Sequence, residues 1–135
     1  MNLEKSFKKV ILFYVAAPIA SIIVGLYSSE TVEKANEMFD QSNWYANNEG
    51  SYLVFILMTL IVIFFHLYSL YAIYKFKKKG RLIFLYSLIT LTVCSLFFGE
   101  QAYTVFDLFF FEVTSILSGA ILIFLYFTNL TKKFE

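Results

Sequence analysis

Residues that do chemistry are scarce in this chain. It holds one cysteine, one proline, one histidine and one tryptophan, and only 16% of its residues are charged. A single cysteine excludes an internal disulfide and any dithiol metal or redox pair. Cys94, set among Thr92, Val93, Ser95 and Leu96 with no base beside it, reads as a packing residue. One histidine leaves no HxxxH or ExxH spacing, so the further ligands that zinc requires are missing and no metal is expected. The five glycines, at 25, 50, 80, 99 and 119, are too scattered for a phosphate-cradling loop. No cofactor is expected, and no family-specific motif occurs.

What the chain has in excess is apolar surface. Of its 135 residues 59% are hydrophobic and 21% aromatic, more than a soluble domain of this size can keep from water. The apolar residues fall into four runs, at about residues 7–27, 51–74, 82–98 and 113–130. The charges are sorted around them. Lys5, Lys8 and Lys9 precede the first run, Lys75, Lys77, Lys78, Lys79 and Arg81 separate the second from the third, and Lys132 and Lys133 follow the fourth. Glu30, Glu33, Glu37, Asp40, Glu49, Glu100, Asp107 and Glu112 lie in the other two connections, where Lys34 is the only base. Cationic short loops resist translocation. The distribution therefore predicts an all-α fold: an up-down four-helix transmembrane bundle with both termini cytoplasmic, forming one integral membrane domain. The basic cluster is short and explained by topology, so nucleic acid is not an expected partner, whereas the lipid bilayer is.

Within the first run, Lys5 to Lys9 resemble the start of a signal peptide, but the apolar stretch runs on to Tyr27 and contains Pro18, which favours an uncleaved signal anchor. Pro18 lacks a donor and crowds the Tyr14 carbonyl, predicting a kink there. Ala17, Ser21 and Gly25 recur every four residues, a ridge that lets another helix approach closely. Ser115, Ser118 and Gly119 offer a matching surface on the fourth span. Residues 28–50 form an outer loop in which Val32, Ala35, Met38 and Phe39 have helical spacing, suggesting a short interfacial helix. Trp44 and Tyr45 follow and suit the headgroup layer. The stretch AYTVFDLFFFE is either an interfacial segment or the first turns of a longer fourth helix.

Two constellations carry possible function. His66, with Thr59 and Ser69 on the same helix face, is a candidate intramembrane polar site. It either relays protons or binds a ligand, or it is a neutral imidazole hydrogen-bonded across the bundle. Ser87, Thr90 and Cys94 form a polar stripe on the third span. Trp44, Tyr45, Glu100, Asp107 and Glu112 form a candidate outer recognition surface, and the last three carboxylates would attract a cation if they cluster. The expectation is a small multi-pass protein of a plasma membrane, the bacterial inner membrane being favoured. It would act by helix–helix or outer-loop binding of a membrane protein or of itself, as an accessory subunit or an immunity-type protein. A small oligomeric transporter or channel using His66 is the alternative, and a lipid- or quinone-linked membrane enzyme the second.

Overall fold

The computed structural model describes residues 2–25, 30–42, 48–98 and 101–134. Among these residues the fold is all-helical, with five α-helices and no strand: α1 (Leu3–Gly25), α2 (Glu30–Ser42), α3 (Glu49–Tyr74), α4 (Lys78–Ser95) and α5 (Val105–Phe127), followed by a 3-10 segment, Asn129–Phe134. Three stretches are long and apolar enough to cross a membrane: Leu3–Val24, Gly50–Tyr74 and Val105–Phe127. The run at 82–98 does not join them. It opens with Lys78, Lys79, Gly80 and Arg81 and its helix stops at Ser95. The part from Leu82 onward rises only about 21 Å, against a hydrocarbon layer of about 30 Å.

The helices associate as two antiparallel pairs, α1 with α5 and α3 with α4. The pairs meet toward one end, where the chain termini and the α3–α4 turn come together; we call it the terminal end. Phe7, Ile11 and Tyr14 of α1, Leu70 and Ile73 of α3, Phe84 of α4, Ile121 and Leu125 of α5, and Leu130 and Phe134 form one buried cluster there. The spacing 7, 11, 14 is one helical face, which is why these three side chains of α1 reach a common core. Toward the far end the helices present mostly exposed apolar side chains, among them Leu53, Val54, Leu57 and Met58 of α3 and Phe106, Phe109 and Phe111 of α5.

The turn between α3 and α4 is built by backbone geometry. Phe76 donates its N–H to the Ile73 carbonyl at 3.0 Å and Lys77 to the Ala72 carbonyl at 2.8 Å, the paired bonds of a Schellman cap. That cap places Phe76 in the left-handed region, φ 54°, where glycine is usual. Phe76 is held there by its ring, which lies 5.2 Å from Phe134 and 5.9 Å from Phe7. The ammonium groups of Lys8 and Lys133 sit 5.3 and 5.4 Å from the same ring. Both Phe76→Ala and Phe76→Gly lose that packing, but glycine escapes the steric cost of the left-handed backbone. Phe76→Gly is therefore expected to be the more stable of the two by about 1 kcal/mol in reversible unfolding in detergent. Equal stabilities would show that the backbone there is unstrained.

Polar contacts close the terminal end. Glu4 accepts from Lys8 one turn away, at 2.8 Å, and from Lys133. The Arg81 guanidinium lies 4.7 Å from the Tyr126 ring centre, and the Tyr126 hydroxyl donates to the Arg81 carbonyl at 3.2 Å. These contacts join α1 to the C-terminal segment and α4 to α5. At the far end Asn36 of α2 grips the chain before α5: its Oδ1 accepts from the Ala102 N–H at 2.7 Å and its Nδ2 donates to the Ala102 carbonyl at 3.3 Å.

Helix boundaries differ from the sequence reading where capping decides. α5 begins at Val105 rather than near 113, so of the two readings of AYTVFDLFFFE the longer helix holds, and the three consecutive phenylalanines belong to its second turn. Thr104 is its N-cap: the Thr104 hydroxyl accepts from the Asp107 N–H at 3.1 Å, and Asp107 Oδ2 accepts from the Thr104 N–H at 3.1 Å. This reciprocal box satisfies two backbone donors that a helix start otherwise leaves bare. α1 runs continuously through Pro18.

Candidate functional site

His66 lies on α3 about 12 Å from the end of that helix, and it is buried, 6% exposed. Both ring nitrogens are engaged. Nε2 is 2.9 Å from the Tyr14 hydroxyl of α1, and Nδ1 is 2.8 Å from the Ser87 hydroxyl of α4. Donor counting fixes the tautomer. Ser87 has one O–H, and it donates to the Phe84 carbonyl at 3.0 Å. Its oxygen must then accept from His66 Nδ1–H, which leaves Nε2 as the acceptor for the Tyr14 hydroxyl. The result is a directed chain in a neutral imidazole: Tyr14 O–H to His66, His66 N–H to Ser87, Ser87 O–H to a backbone carbonyl. The ring stacks on Phe84, with centroids 5.2 Å apart and planes inclined by 30°.

This chain spans three helices and one of its links crosses between the two helix pairs. It ends on the Phe84 carbonyl, which accepts a hydrogen bond but has no proton to pass on. Chemically the arrangement orients and fixes; with both ring nitrogens engaged it offers no lone pair on the imidazole to an incoming ligand.

The residues singled out with His66 have other tasks. Thr59 is buried but donates to the Phe55 carbonyl of its own helix at 3.0 Å. Ser69 donates to the backbone carbonyl of His66 at 2.6 Å. Neither reaches the ring. The partners are instead Ser87, on the recognised α4 stripe, and Tyr14, which sequence inspection does not single out as a partner. Its one signal is position: Tyr14 continues the face set by Phe7 and Ile11, so its hydroxyl has to be satisfied inside the core.

The small-residue surfaces do not meet. Ala17 is buried and the Ser21 hydroxyl donates to Asp107 Oδ1 at 3.3 Å, so this part of α1 does face α5. Gly25 closes the same helix. The antiparallel register that sets Phe7 beside Phe124 and Ser21 beside Asp107 puts Ser115, Ser118 and Gly119 at a different depth. Ser115 is exposed, Ser118 donates to the Ser115 carbonyl, and a Cβ added at Gly119 would meet nothing within 4 Å. Close packing there, expected from composition, is not what joins the helices.

Of the outer residues, Trp44, Tyr45 and Glu100 lie outside the described residues. Asp107 and Glu112 diverge, because five residues turn an α-helix through about 140°. Asp107 is half-buried against α1 and committed to the Thr104 cap, whereas Glu112 is exposed on the outside of α5. No group of three or more metal-ligating side chains occurs among the described residues. Comparison with protein-family models, with curated proteins and with solved structures finds no match to this chain.

Proposed function

We propose that this is a four-pass protein of a bacterial plasma membrane, with both termini cytoplasmic, that works by binding another membrane protein along the exposed face of α5. Support for the topology comes from the terminal end, which gathers Lys8, Lys77, Arg81 and Lys133 from three separate segments onto aromatic rings. Such a basic, aromatic belt is what a cytoplasmic interface retains. α4 is short, but it runs antiparallel beside α3, and its cationic first turn matches the end of that helix in level.

The observation that carries the binding role is Glu112. It sits seven residues into α5, about 10 Å along the helix, exposed among Phe109, Phe111 and Ile116. It has no partner among the described residues. A carboxylate on a lipid-facing helix surface is costly, and ionisable groups within membranes almost always face protein or a hydrated cavity. An exposed Glu112 therefore favours a partner helix that supplies a base or hydrogen-bond donor at that depth. α5 is also the least covered of the three long apolar helices. Accessory-subunit and immunity-type roles both fit this reading.

Photo-crosslinking in intact membranes tests it. A photoreactive residue at Ile116, one turn from Glu112, is expected to capture one membrane protein of defined mass, and Glu112→Leu is expected to abolish the adduct. A photoreactive residue at Leu57 of α3 is expected to give none. Equal adducts from both positions, or an Ile116 adduct indifferent to Glu112→Leu, would sink the proposal. An adduct of twice the chain mass identifies the partner as a second copy.

A further inference from the structure

Between the far halves of α1 and α5 lies a cavity of about 440 Å³, within the range of small-molecule sites. Pro18, Ser21 and Ile22 form one wall, and Asp107, Phe110 and Phe111 form much of the other. Tyr103 and Thr114 also contribute to the lining. The surface is almost wholly apolar, yet it contains one carboxylate. Asp107 Oδ2 is occupied by the N–H and hydroxyl of Thr104, at 3.1 and 2.7 Å. Oδ1 accepts only a long bond, 3.3 Å, from Ser21 within the lining. No cation pairs with Asp107 among the described residues.

We propose that this cavity binds a lipophilic organic monocation, a compact apolar body carrying one positive charge. Each part of such a ligand has a counterpart here. The apolar body replaces lipid against Pro18, Ile22 and Leu108. The charge lies near Asp107 Oδ1, and the rings of Tyr103, Phe110 and Phe111, all in the lining, are available for quadrupolar attraction to a cation. The partial positive charge at the start of α5 offsets only about half of the carboxylate, so the cavity remains net negative. A neutral acyl chain would fit the walls but has no use for the carboxylate. An anion would be repelled.

Tetraphenylphosphonium and tetraphenylborate are nearly the same in shape and apolar surface but opposite in charge, and so separate these occupants. Equilibrium dialysis against the purified full chain in lipid nanodiscs, corrected for uptake by empty nanodiscs of the same lipid, is expected to show saturable, one-to-one binding of tetraphenylphosphonium and no protein-dependent binding of tetraphenylborate. Asp107→Asn is expected to weaken phosphonium binding at least about tenfold. Because Asp107 also caps α5, Thr114→Leu provides an independent variant: it fills the cavity, leaves the Thr104–Asp107 box in place, and is expected to lose binding as well. Comparable protein-dependent binding of both probes would mean that the cavity selects apolar bulk alone, and undiminished phosphonium binding by Thr114→Leu would mean that the cation sits outside it; either would overturn the proposal. So would undiminished binding by a helical, folded Asp107→Asn.

Discussion

Gly80→Leu is expected to cost about 3 kcal/mol or more of stability and to part α4 from α3 at the turn. Gly80 is in the first turn of α4 and is fully covered by α3. A Cβ at this position would stand 2.9 Å from the Ala72 Cβ, 2.9 Å from the Ile73 nitrogen and 3.0 Å from the Ala72 carbonyl carbon. Two of those three atoms are backbone within a regular helix and cannot rotate aside. Relief has to come from moving one helix as a body, and α4 is packed by Phe84 and Ser87 just beyond. Even Gly80→Ala should cost about 1–3 kcal/mol. Pairing it with Ala72→Gly removes one of the three clashes and should recover only part of the loss. Reversible unfolding in mixed micelles measures all three variants. A Gly80→Leu protein as stable as the parent would mean that close approach of α4 to Ala72 and Ile73 does not hold the turn together.

His66→Leu is expected to be the second most damaging substitution, at about 1–3 kcal/mol, because it leaves the Tyr14 hydroxyl buried without its acceptor. Tyr14→Phe removes the donor instead and should cost about 0.6 kcal/mol, the usual worth of one such bond between membrane helices. The order of the two values is informative. Losing the acceptor strands a polar group, whereas losing the hydroxyl strands nothing but one imidazole lone pair. The double variant should be less damaging than the sum of its parts. The same proteins distinguish an anchoring histidine from a conducting one. Proton flux into proteoliposomes is expected to be at background for the parent and unchanged in His66→Leu; flux that vanishes with His66 would instead establish a transport role.

Helicity and the apolar stretches were legible because both depend on local composition. The apolar runs within Leu3–Val24 and Gly50–Tyr74 are recognisable from hydropathy alone, and so is the apolar body of α5. The start of α5 is legible only as one of two readings, interfacial segment or first helical turns, because hydropathy weighs Asp107 and Glu112 as interruptions; the Thr104-x-x-Asp107 capping box is what opens the helix. For the polar site, the sequence singles out His66 as the one imidazole in an apolar run but not the residues it binds. Thr59 and Ser69 are near in sequence, yet short hydroxyl side chains on a helix turn back to their own carbonyls. Tyr14 is 52 positions away, and only the packing of α1 against the other pair brings it within reach. The small-residue surfaces were visible as patterns, but their register was not. That depends on where Phe7 and Phe124 settle, which is a tertiary matter.

The Asn36 grip on Ala102 joins positions 66 apart in the chain. A ribosome makes α2 long before it makes the backbone that α2 holds, and the whole α3–α4 hairpin must come between. The Asn36 contact therefore cannot form while the α3–α4 hairpin is being made, and this latch closes only as the last long helix is being delivered. Whatever that latch contributes to the face on that side is consequently added late, and a nascent chain stalled before residue 102 would carry α2 without it.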